Sequence, residues 1–413
     1  MRLRFEAYGC ALNRGQAKEL EEQASGAGHA TGVAESEAEL VVLVTCTVIQ
    51  PTEDRMLARL KALRARGKRV LVAGCMAGVQ AGRVLNAFPG ALLLAPKDYH
   101  GFPALLRQLG GEGAGPGTAR SFAAASEEVP VADGCRGRCT FCITRLARGR
   151  LRSRPVDEVV ARVEALVRGG CVEVRLAAQD LGLYGRDIGT DLPGLLRSVC
   201  AIDGDFRVRA GMMNPESLLP IQGELMDAFA HPKMFKFLHI PVQSGDDTVL
   251  KRMGRGHTAG DFREAVERYR AAFPTGLLAT DIIVGFPGED EKAFGRTLDL
   301  MDETGPDILN IKAFSPRPGT PAFHLKDPPG RAAVQRRIAR LQRVRRRVSL
   351  ENNRRLLGTV QEVLVTERAR RGGVLARTAG YYPVILEEGL RPGTVRKVRI
   401  AGARTGFLTG RAL

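Results

Sequence analysis

The chain has 413 residues, of which 62 are Lys or Arg and 45 are Asp or Glu, so its net charge at pH 7 is +17. This length exceeds one ordinary hydrophobic core and predicts two or three domains. No apolar run reaches the ~20 residues that span a bilayer, and the first residues lack the apolar stretch of a signal peptide. We therefore expect a cytoplasmic protein without membrane contact. The positive charge favours a polyanionic partner, nucleic acid first, with a solvated basic surface as the alternative.

The first segment, which runs to about Leu109, alternates short apolar runs with helical stretches, and this predicts an α/β domain with a parallel sheet. The predicted elements are four strands and one helix: Leu3–Gly9, Glu39–Thr45, Arg69–Gly74 and Ala91–Ala95, with the helix over Pro51–Arg66. Cys10, Cys46 and Cys75 each follow one of the first three strands. Parallel strands end along one edge of a sheet, where open α/β folds bind ligands, so these cysteines can meet in space. Burial as ordinary core residues is the alternative.

The second segment follows a glycine-rich stretch, Gly110–Gly117, which predicts a flexible linker, and it runs to about Arg355. Six predicted strands alternate with helical stretches: Val129–Ala132, Val172–Ala178, Phe206–Ala210, Lys236–Pro241, Leu277–Val284 and Ile308–Phe314. This order predicts an incomplete (β/α)6 barrel with its site at the C-terminal ends of the strands. A helix predicted over Arg331–Arg355 carries ten arginines. These suit either RNA phosphates or a solvated face paired with carboxylates.

The third segment, Leu357–Leu413, has short β-type runs separated by turn residues and predicts a small antiparallel β-barrel. The runs are Thr359–Thr366, Tyr381–Leu386, Thr394–Ile400 and Gly406–Thr409. The segment is basic and contains Tyr381 and Tyr382, so it suits RNA, with cations for phosphates and rings for stacking. Rings that belong to the core or rim of the barrel are the alternative.

The strongest motif is the loop Cys135-Arg-Gly-Arg-Cys139-Thr-Phe-Cys142, three of the eight cysteines of the chain. Disulfides are not expected in a reducing cytosol. Three thiolates on one tight loop can hold three irons of a [4Fe–4S] cluster and leave the fourth iron open for a substrate or cofactor. A four-cysteine zinc site needs a second CxxC pair, and none follows. Cys171 and Cys200 match no ligand position and are predicted to be core residues.

With this loop the chain resembles the radical S-adenosylmethionine (SAM) superfamily. The resemblance implies that SAM chelates the open iron and yields a 5′-deoxyadenosyl radical when the cluster is reduced. It places an aromatic residue of the loop near the adenine, and residues 176–180, 239–245 and 281–289 match the family's SAM-contact strand ends. Arg209, on the third predicted strand, is a candidate contact for SAM or for the substrate, and an ion pair at the strand end is the alternative. The implied cofactor contacts are Phe141, Gln179, Asp180, Arg209, Gln243 and Gly285.

The whole chain resembles the methylthiotransferase branch of that superfamily. The matching stretches are Tyr8–Asn13, Val44–Val48, Ala73–Cys75, Gly134–Cys142 and Phe314–Pro321. The resemblance implies an N-terminal methylthiotransferase domain over residues 1–115, a radical SAM domain over 125–356 and a TRAM-like RNA-binding domain over 357–413. It also implies that Cys10, Cys46 and Cys75 hold a second [4Fe–4S] cluster.

Within this branch, residues 45–54 and 183–190 resemble the archaeal and eukaryotic class. That class adds a methylthio group to C2 of N6-threonylcarbamoyladenosine (t6A) beside the anticodon of tRNA. The resemblance implies SAM as both methyl donor and radical source, with an electron donor and a sulfur source that the sequence does not identify. The alternatives are isopentenyladenosine tRNA or a ribosomal protein side chain as substrate, and a non-catalytic iron–sulfur protein that binds RNA.

Overall fold

The computed structural model describes residues 1–110, 124–369 and 372–413. Most of the predicted linker Gly110–Gly117 therefore lies outside the described residues. No helix in the described ranges is long and apolar enough to cross a membrane.

The first part of the chain forms the predicted parallel sheet, with strand order β1-β2-β3-β4. Its strands are β1 Leu3–Ala7, β2 Leu40–Thr45, β3 Arg69–Gly74 and β4 Leu92–Leu94. Its helices are α1 Ala11–Gly26, α2 Gln50–Ala65, α3 Cys75–Val79, α4 Ala81–Ala87 and α5 Phe102–Gly110, with a 3-10 helix at Pro96–Gly101. Every residue of β2 is buried, because separate apolar clusters cover the two faces of the sheet.

The central part is an open barrel of six strands, with three to eight residues each, plus a small hairpin that the sequence did not predict. The strands are β5 Ser126–Pro130, β6 Ala132–Asp133, β7 Arg152–Ser153, β8 Glu173–Ala177, β9 Arg207–Arg209, β10 Phe237–His239, β11 Leu277–Val284 and β12 Ile308–Ala313. The helices are α6 Ile143–Arg148, α7 Val156–Arg168, α8 Leu192–Cys200, α9 Pro215–Leu218, α10 Gln222–Ala230, α11 Asp247–Arg252, α12 Ala259–Ala272, α13 Glu291–Thr304 and α14 Arg331–Arg354, with 3-10 helices at Leu181–Leu183, Leu219–Ile221 and Pro321–His324.

The incomplete barrel predicted from the sequence is confirmed. Two parallel sheets, β5-β8-β9 and β10-β11-β12, are joined by a parallel bridge between Val208 and Met234. Apolar side chains on alternate strand positions, such as Leu176 and Leu278, pack into the core beneath the surrounding helices. Cys171 and Cys200 are buried in this same core, as predicted.

The last part is a closed five-stranded barrel, β13-β14-β15-β17-β16. Its strands are β13 Val360–Arg368, β14 Val374–Thr378, β15 Pro383–Leu386, β16 Val395–Ala403 and β17 Leu408–Ala412. The prediction of a barrel is confirmed, but β15 and β17 pair in parallel, so the barrel is not wholly antiparallel. The reason is topological, because a closed ring with an odd number of strands cannot alternate in direction at every pair.

The stacking role predicted for the two tyrosines is wrong, because both are buried at the junction of the last two parts. The Tyr381 hydroxyl donates to Glu173 Oε1 at 2.6 Å, and the Tyr382 hydroxyl donates to Asp307 Oδ1 at 2.7 Å. Phe237 packs into the same apolar cluster as both rings. The alternative interpretation holds, and the two tyrosines anchor the small barrel to the central domain.

Candidate functional site

The loop with Cys135, Cys139 and Cys142 lies between the hairpin strand β6 and the helix α6, next to the C-terminal end of β5. Its backbone is fixed from the opposite side of the barrel, because Thr140 donates to the carbonyls of Met253 (2.8 Å) and Arg252 (3.0 Å). Within the loop, the amide of residue 137 donates to Cys135 Sγ at 3.2 Å. The three thiols are close enough for the charge of one to act on another.

Arg255 contacts a thiol of this loop, and sequence reasoning missed it. Its Nη1 lies 3.4 Å from Cys139 Sγ, while Nη2 donates to Asn214 Oδ1 at 2.6 Å and to the Pro241 carbonyl at 2.8 Å. Burial raises the pKa of the Cys135 thiol to about 12 and also raises that of Cys139. The thiolate form therefore needs positive charge, which Arg255 supplies in part and bound irons would supply in full.

The second cysteine group assembles at the edge of the N-terminal sheet, where the strand-end argument placed it. Cys10 is exposed and precedes α1, Cys46 follows β2, and Cys75 is the first residue of α3. Burial, with the Cys10 and Cys75 thiols beside it, raises the pKa of Cys46 to about 11. Gly9 permits the close approach, since a Cβ there would lie 2.4 Å from Cys46 Cβ. The structure thus brings together three thiols that are far apart in sequence.

A fully buried arginine joins this group to the central domain. Arg148 donates to Gln16 Oε1 at 2.8 Å, to Asn13 Oδ1, and to both carboxylate oxygens of Asp133 at 2.9 and 3.0 Å. It is also close enough to hydrogen-bond the Cys75 thiol. Sequence reasoning missed Arg148, because nothing in its local pattern distinguishes it from the exposed arginines around it.

A second buried ion pair connects two stretches that the resemblance had matched separately. Glu53 in α2 has no exposed surface and accepts from Arg317 Nη1 at 2.8 Å, from Arg83 at 2.6 Å and from Thr47 at 2.5 Å. The stretch 45–54 therefore meets the stretch 314–321 in space. Both connections hold the N-terminal cysteines against the central domain.

The two cysteine triads differ from a site for one metal ion. No group of three or more His, Cys, Asp or Glu side chains in residues 1–110, 124–369 and 372–413 has the geometry to hold a single ion. A four-iron cluster separates its thiolate ligands farther than one ion does, and cysteine thiolates are the ligands that such clusters use. The residues present therefore fit two iron–sulfur clusters.

Two of the predicted SAM contacts, Gln179 and Asp180, follow β8 and differ in how their side chains are hydrogen-bonded. The Asp180 carboxylate is buried and accepts from the Asn214 amide groups at 2.6 and 3.2 Å and from Ser217 Oγ at 2.7 Å. Burial raises the pKa of Asp180. The hydrogen bonds that its carboxylate accepts in the described structure all come from side chains and backbone of the protein itself. Gln179 is half-buried, and its Oε1 atom has no hydrogen-bond partner in the described part of the chain. An acceptor left without a donor at this edge fits an ammonium ligand.

Three further predicted contacts lie around the same edge. Gln243 follows β10 in the left-handed region, with φ +74°, which marks local strain of the kind found at functional sites. Gly285 follows β11 with φ +83°, and a Cβ there would lie 2.6 Å from Val334. Phe141 packs edge-on against Phe286, with ring centres 6.4 Å apart. Their contacts with SAM stay predictions.

Arg209 lies below this edge, on the strand itself. Its guanidinium carbon is 4.3 Å from the ring centre of Phe237 and 5.3 Å from that of Tyr381. It has no ion pair among the described residues, so the strand-end ion pair considered as an alternative is absent there. Its contact with SAM stays a prediction.

Comparison with known proteins supports the three-part division. The Radical SAM superfamily model matches residues 129–301, uncharacterized protein family UPF0004 matches residues 2–95, and the TRAM domain matches residues 354–413. A probable threonylcarbamoyladenosine tRNA methylthiotransferase from Pyrococcus horikoshii is 38% identical over 98% of this chain and 98% of its own length.

Two other similarities are more distant. A tRNA-2-methylthio-N(6)-dimethylallyladenosine synthase from Geobacter metallireducens is 34% identical over 92% of this chain and 90% of its own length. Among solved structures, a radical S-adenosylmethionine methyltransferase from Kitasatospora setae has a TM-score of 0.58, covers 87% of this chain and 80% of its own, and is 14% identical. The last similarity shows a shared fold.

Proposed function

Since this chain belongs to the threonylcarbamoyladenosine tRNA methylthiotransferases and is an enzyme with a radical SAM domain, we propose that it adds a methylthio group to C2 of t6A beside the anticodon of tRNA. It uses two [4Fe–4S] clusters, SAM as methyl donor and as radical source, and an electron donor and a sulfur source from outside the chain. The observation that carries the proposal is the pair of cysteine triads connected through Arg148, which lies beside Cys75 and pairs with Asp133. Such a tRNA substrate is consistent with the predicted cytoplasmic location.

The chemistry explains why a radical site is needed. C2 of an adenine is an unactivated aromatic C–H position that acid–base side chains cannot exchange for sulfur. When bound at Cys135, Cys139 and Cys142, a cluster supplies the electron that cleaves SAM into a carbon radical. Arg255 stabilises the Cys139 thiolate through its Nη1, and the free Gln179 Oε1 can accept from the SAM ammonium group.

The N-terminal triad is the proposed site of the sulfur that is methylated and transferred. Cys10 is exposed whereas Cys46 and Cys75 are buried, so the triad is open on one side and enclosed on the other. Arg148 donates next to Cys75 and pairs with Asp133, two residues before Cys135. One guanidinium therefore positions both triads relative to each other.

The basic helix α14 offers the surface for tRNA. The helix contains nine arginines, and Arg355 directly follows it. Three of these ten pair with carboxylates, namely Arg337, Arg340 and Arg347. The remaining seven have no ion pair among the described residues, and they are exposed: Arg331, Arg336, Arg343, Arg345, Arg346, Arg354 and Arg355. Neutralisation by carboxylates, the alternative considered above, therefore applies only to the three paired arginines. The other seven arginines are available to bind phosphates.

Mass spectrometry of nucleosides tests the proposal. Purified tRNA is incubated under anaerobic conditions with reconstituted enzyme, SAM, sulfide and reductant. We expect a methylthio adduct on the threonylcarbamoyl nucleoside. An adduct on the dimethylallyl nucleoside instead would reassign the substrate, and the absence of any adduct would refute the proposal.

Cysteine variants separate the two clusters. The wild type should hold about eight irons per chain, from two four-iron clusters. Cys139→Ala should lose half of them and all deoxyadenosine formation, whereas Cys46→Ala should lose half but still cleave SAM without methylthio transfer. Cys200→Ala is the matched control, since this cysteine is buried in the core away from both triads, and it should keep both activities. A Cys46→Ala enzyme that still transfers the methylthio group contradicts the second cluster.

A further inference from the structure

A row of charged side chains crosses the central sheet below the strand ends, on the face opposite to the helix-covered core. Glu128, Arg175 and Arg209 are in register on β5, β8 and β9. Their neighbours Val129, Val174 and Val208 point into the core, so this row faces the interior of the open barrel. Glu128 pairs with Arg175 at 3.1 Å and with Arg14 at 2.7 Å.

The C-terminal barrel contributes another arginine beside this row of charged side chains. Arg377 of β14 lies over the Tyr381 ring, with its guanidinium carbon 4.5 Å from the ring centre, while Arg209 approaches the same ring at 5.3 Å. Burial lowers the pKa of Arg209; Tyr381 and Glu173 act against this effect, and the positive charges of Arg175 and Arg377 add to it. Two guanidiniums from two domains therefore approach one aromatic ring, and Arg175 lies in register beside Arg209.

Two of these guanidiniums lack an anionic partner. Arg209 and Arg377 have neither a hydrogen bond nor an ion pair to any residue that the structure describes, and the Nε atoms of Arg175, Arg209 and Arg377 are buried without a partner. The carboxylate nearest to them, Glu173, already accepts from Ser126 and Tyr381. All three arginines keep intermediate exposure, so none of them is wholly sealed from a ligand. A cation enclosed this far needs an anion to offset its lost hydration.

The position of the arginines indicates which anion they bind. Arg175 lies two residues before Ala177, the last residue of β8, which is about 7 Å along a strand. A nucleobase that presents its C2 at the strand ends can therefore reach the arginines with a substituent of amino-acid size. The threonylcarbamoyl group ends in a carboxylate, whereas the dimethylallyl group is uncharged. Guanidinium forks bind carboxylates through paired hydrogen bonds.

We propose that Arg175, Arg209 and Arg377 bind the threonine carboxylate of t6A and thereby select it over adenosines with uncharged N6 substituents. The inference rests on the proposed function, which it deepens by assigning the residues that read the substituent. Rejection of the uncharged analogue follows from the same geometry, because that analogue leaves the buried cations without a partner.

Binding measurements on short RNAs test this assignment. Anticodon stem–loops carry t6A, its carboxyl methyl ester, dimethylallyladenosine or adenosine, and fluorescence anisotropy gives the affinity for wild-type holoenzyme and for Arg209→Gln, Arg377→Gln and Arg343→Gln. We expect the wild type to prefer t6A over its ester by about tenfold to a hundredfold, the effect of hydrogen bonds to a charged group. Arg209→Gln and Arg377→Gln should bring this ratio close to one and leave the affinity for adenosine RNA unchanged.

The control variant distinguishes the carboxylate from backbone phosphates. Arg343→Gln, on the exposed face of α14, should weaken binding of all four RNAs to the same degree. If Arg209→Gln and Arg377→Gln also weaken all four equally, the arginines bind phosphate and the assignment is wrong. An unchanged preference for t6A over its ester would overturn it as well.

Further readouts separate misfolding and failure of the proposed function. Thermal unfolding identifies a variant that does not fold, and Arg377→Gln and Arg209→Gln change different domains, so the loss of one leaves the other to decide. Arg209→Lys keeps the charge but not the fork, and should retain only part of the preference. A wild-type enzyme that methylthiolates t6A without preferring it to the ester contradicts this inference alone. An enzyme that modifies no tRNA contradicts the proposed function, whatever the binding ratio.

Discussion

Replacing Arg148 with Gln should weaken the contact between the N-terminal domain and the central domain. The side chain is fully buried, and its Nη1 donates to Gln16 and to both oxygens of Asp133. Although burial raises the pKa of Asp133, Arg148 holds that pKa below its usual value. Without the arginine, the Asp133 carboxylate retains only Gln16 Nε2 at 2.9 Å and the amide of residue 134 at 2.8 Å. Removing one partner of a buried ion pair costs about 3–5 kcal/mol.

Urea unfolding measures this cost. With a slope of ~3 kcal/mol per molar urea, a loss of about 3–5 kcal/mol lowers the midpoint by about 1 to 2 M. Iron analysis gives a second readout, since the N-terminal triad should no longer retain its share of iron when Arg148 is absent. Both effects should be larger than the change in SAM cleavage.

Arg145→Gln is the matched control, because this arginine belongs to the same helix α6, is exposed and has no ion pair among the described residues. It should shift the midpoint by less than about 0.2 M, the change expected of an ordinary surface substitution. If Arg148→Gln unfolds at the same urea concentration as Arg145→Gln, the buried arginine does not hold the domains together and our reasoning fails.

Tyr381→Phe should lower the free energy of unfolding in urea by about 1–2 kcal/mol more than Tyr382→Phe does. The first substitution leaves Glu173 with one hydroxyl donor, whereas Asp307, the partner of Tyr382, keeps a guanidinium and a backbone amide as donors. Equal losses would contradict this prediction. Burial, with a neighbouring arginine, lowers the pKa of His257 from 6.5 to about 4. The unfolded state therefore binds one more proton between these pH values, and stability is lost as pH falls through that window. Between pH 7 and 5 the wild type should lose about 2 kcal/mol more than His257→Gln, and parallel profiles would exclude this contribution. Replacing Arg343 and Arg346 together with Gln should lower the slope of log affinity for tRNA against log salt by about 1 to 2, and an unchanged slope would show that α14 does not contact phosphates.

Strands with continuous apolar runs could be predicted from the sequence to the residue, as for β3 and β11. Strand β14 was missed because its sequence, VLART, is a short run that contains polar residues. The β6–β7 hairpin was missed because strands of two residues show no periodicity. The cysteine loop could be recognised because its ligands are adjacent in sequence.

Other parts of the site depend on tertiary context. Arg148 and Arg255 were missed because a single arginine has the same local signature whether it is exposed or buried against a thiol. The role of Tyr381 and Tyr382 stayed open between two alternatives, because composition does not tell a ring that stacks on RNA from one that anchors a domain. Their burial follows from partners that are 208 and 75 residues away in the chain.

The tyrosine anchor limits how freely the C-terminal barrel can be exchanged among related enzymes. Sequence comparison delimits it as a module, yet its apolar core continues into Phe235 and Phe237 of the central domain. A chimera that carries a foreign barrel without the two hydroxyl donors leaves Glu173 and Asp307 short of partners inside the protein. Recombination in evolution, or in the laboratory, must therefore transfer the tyrosine pair and its carboxylate partners as one unit.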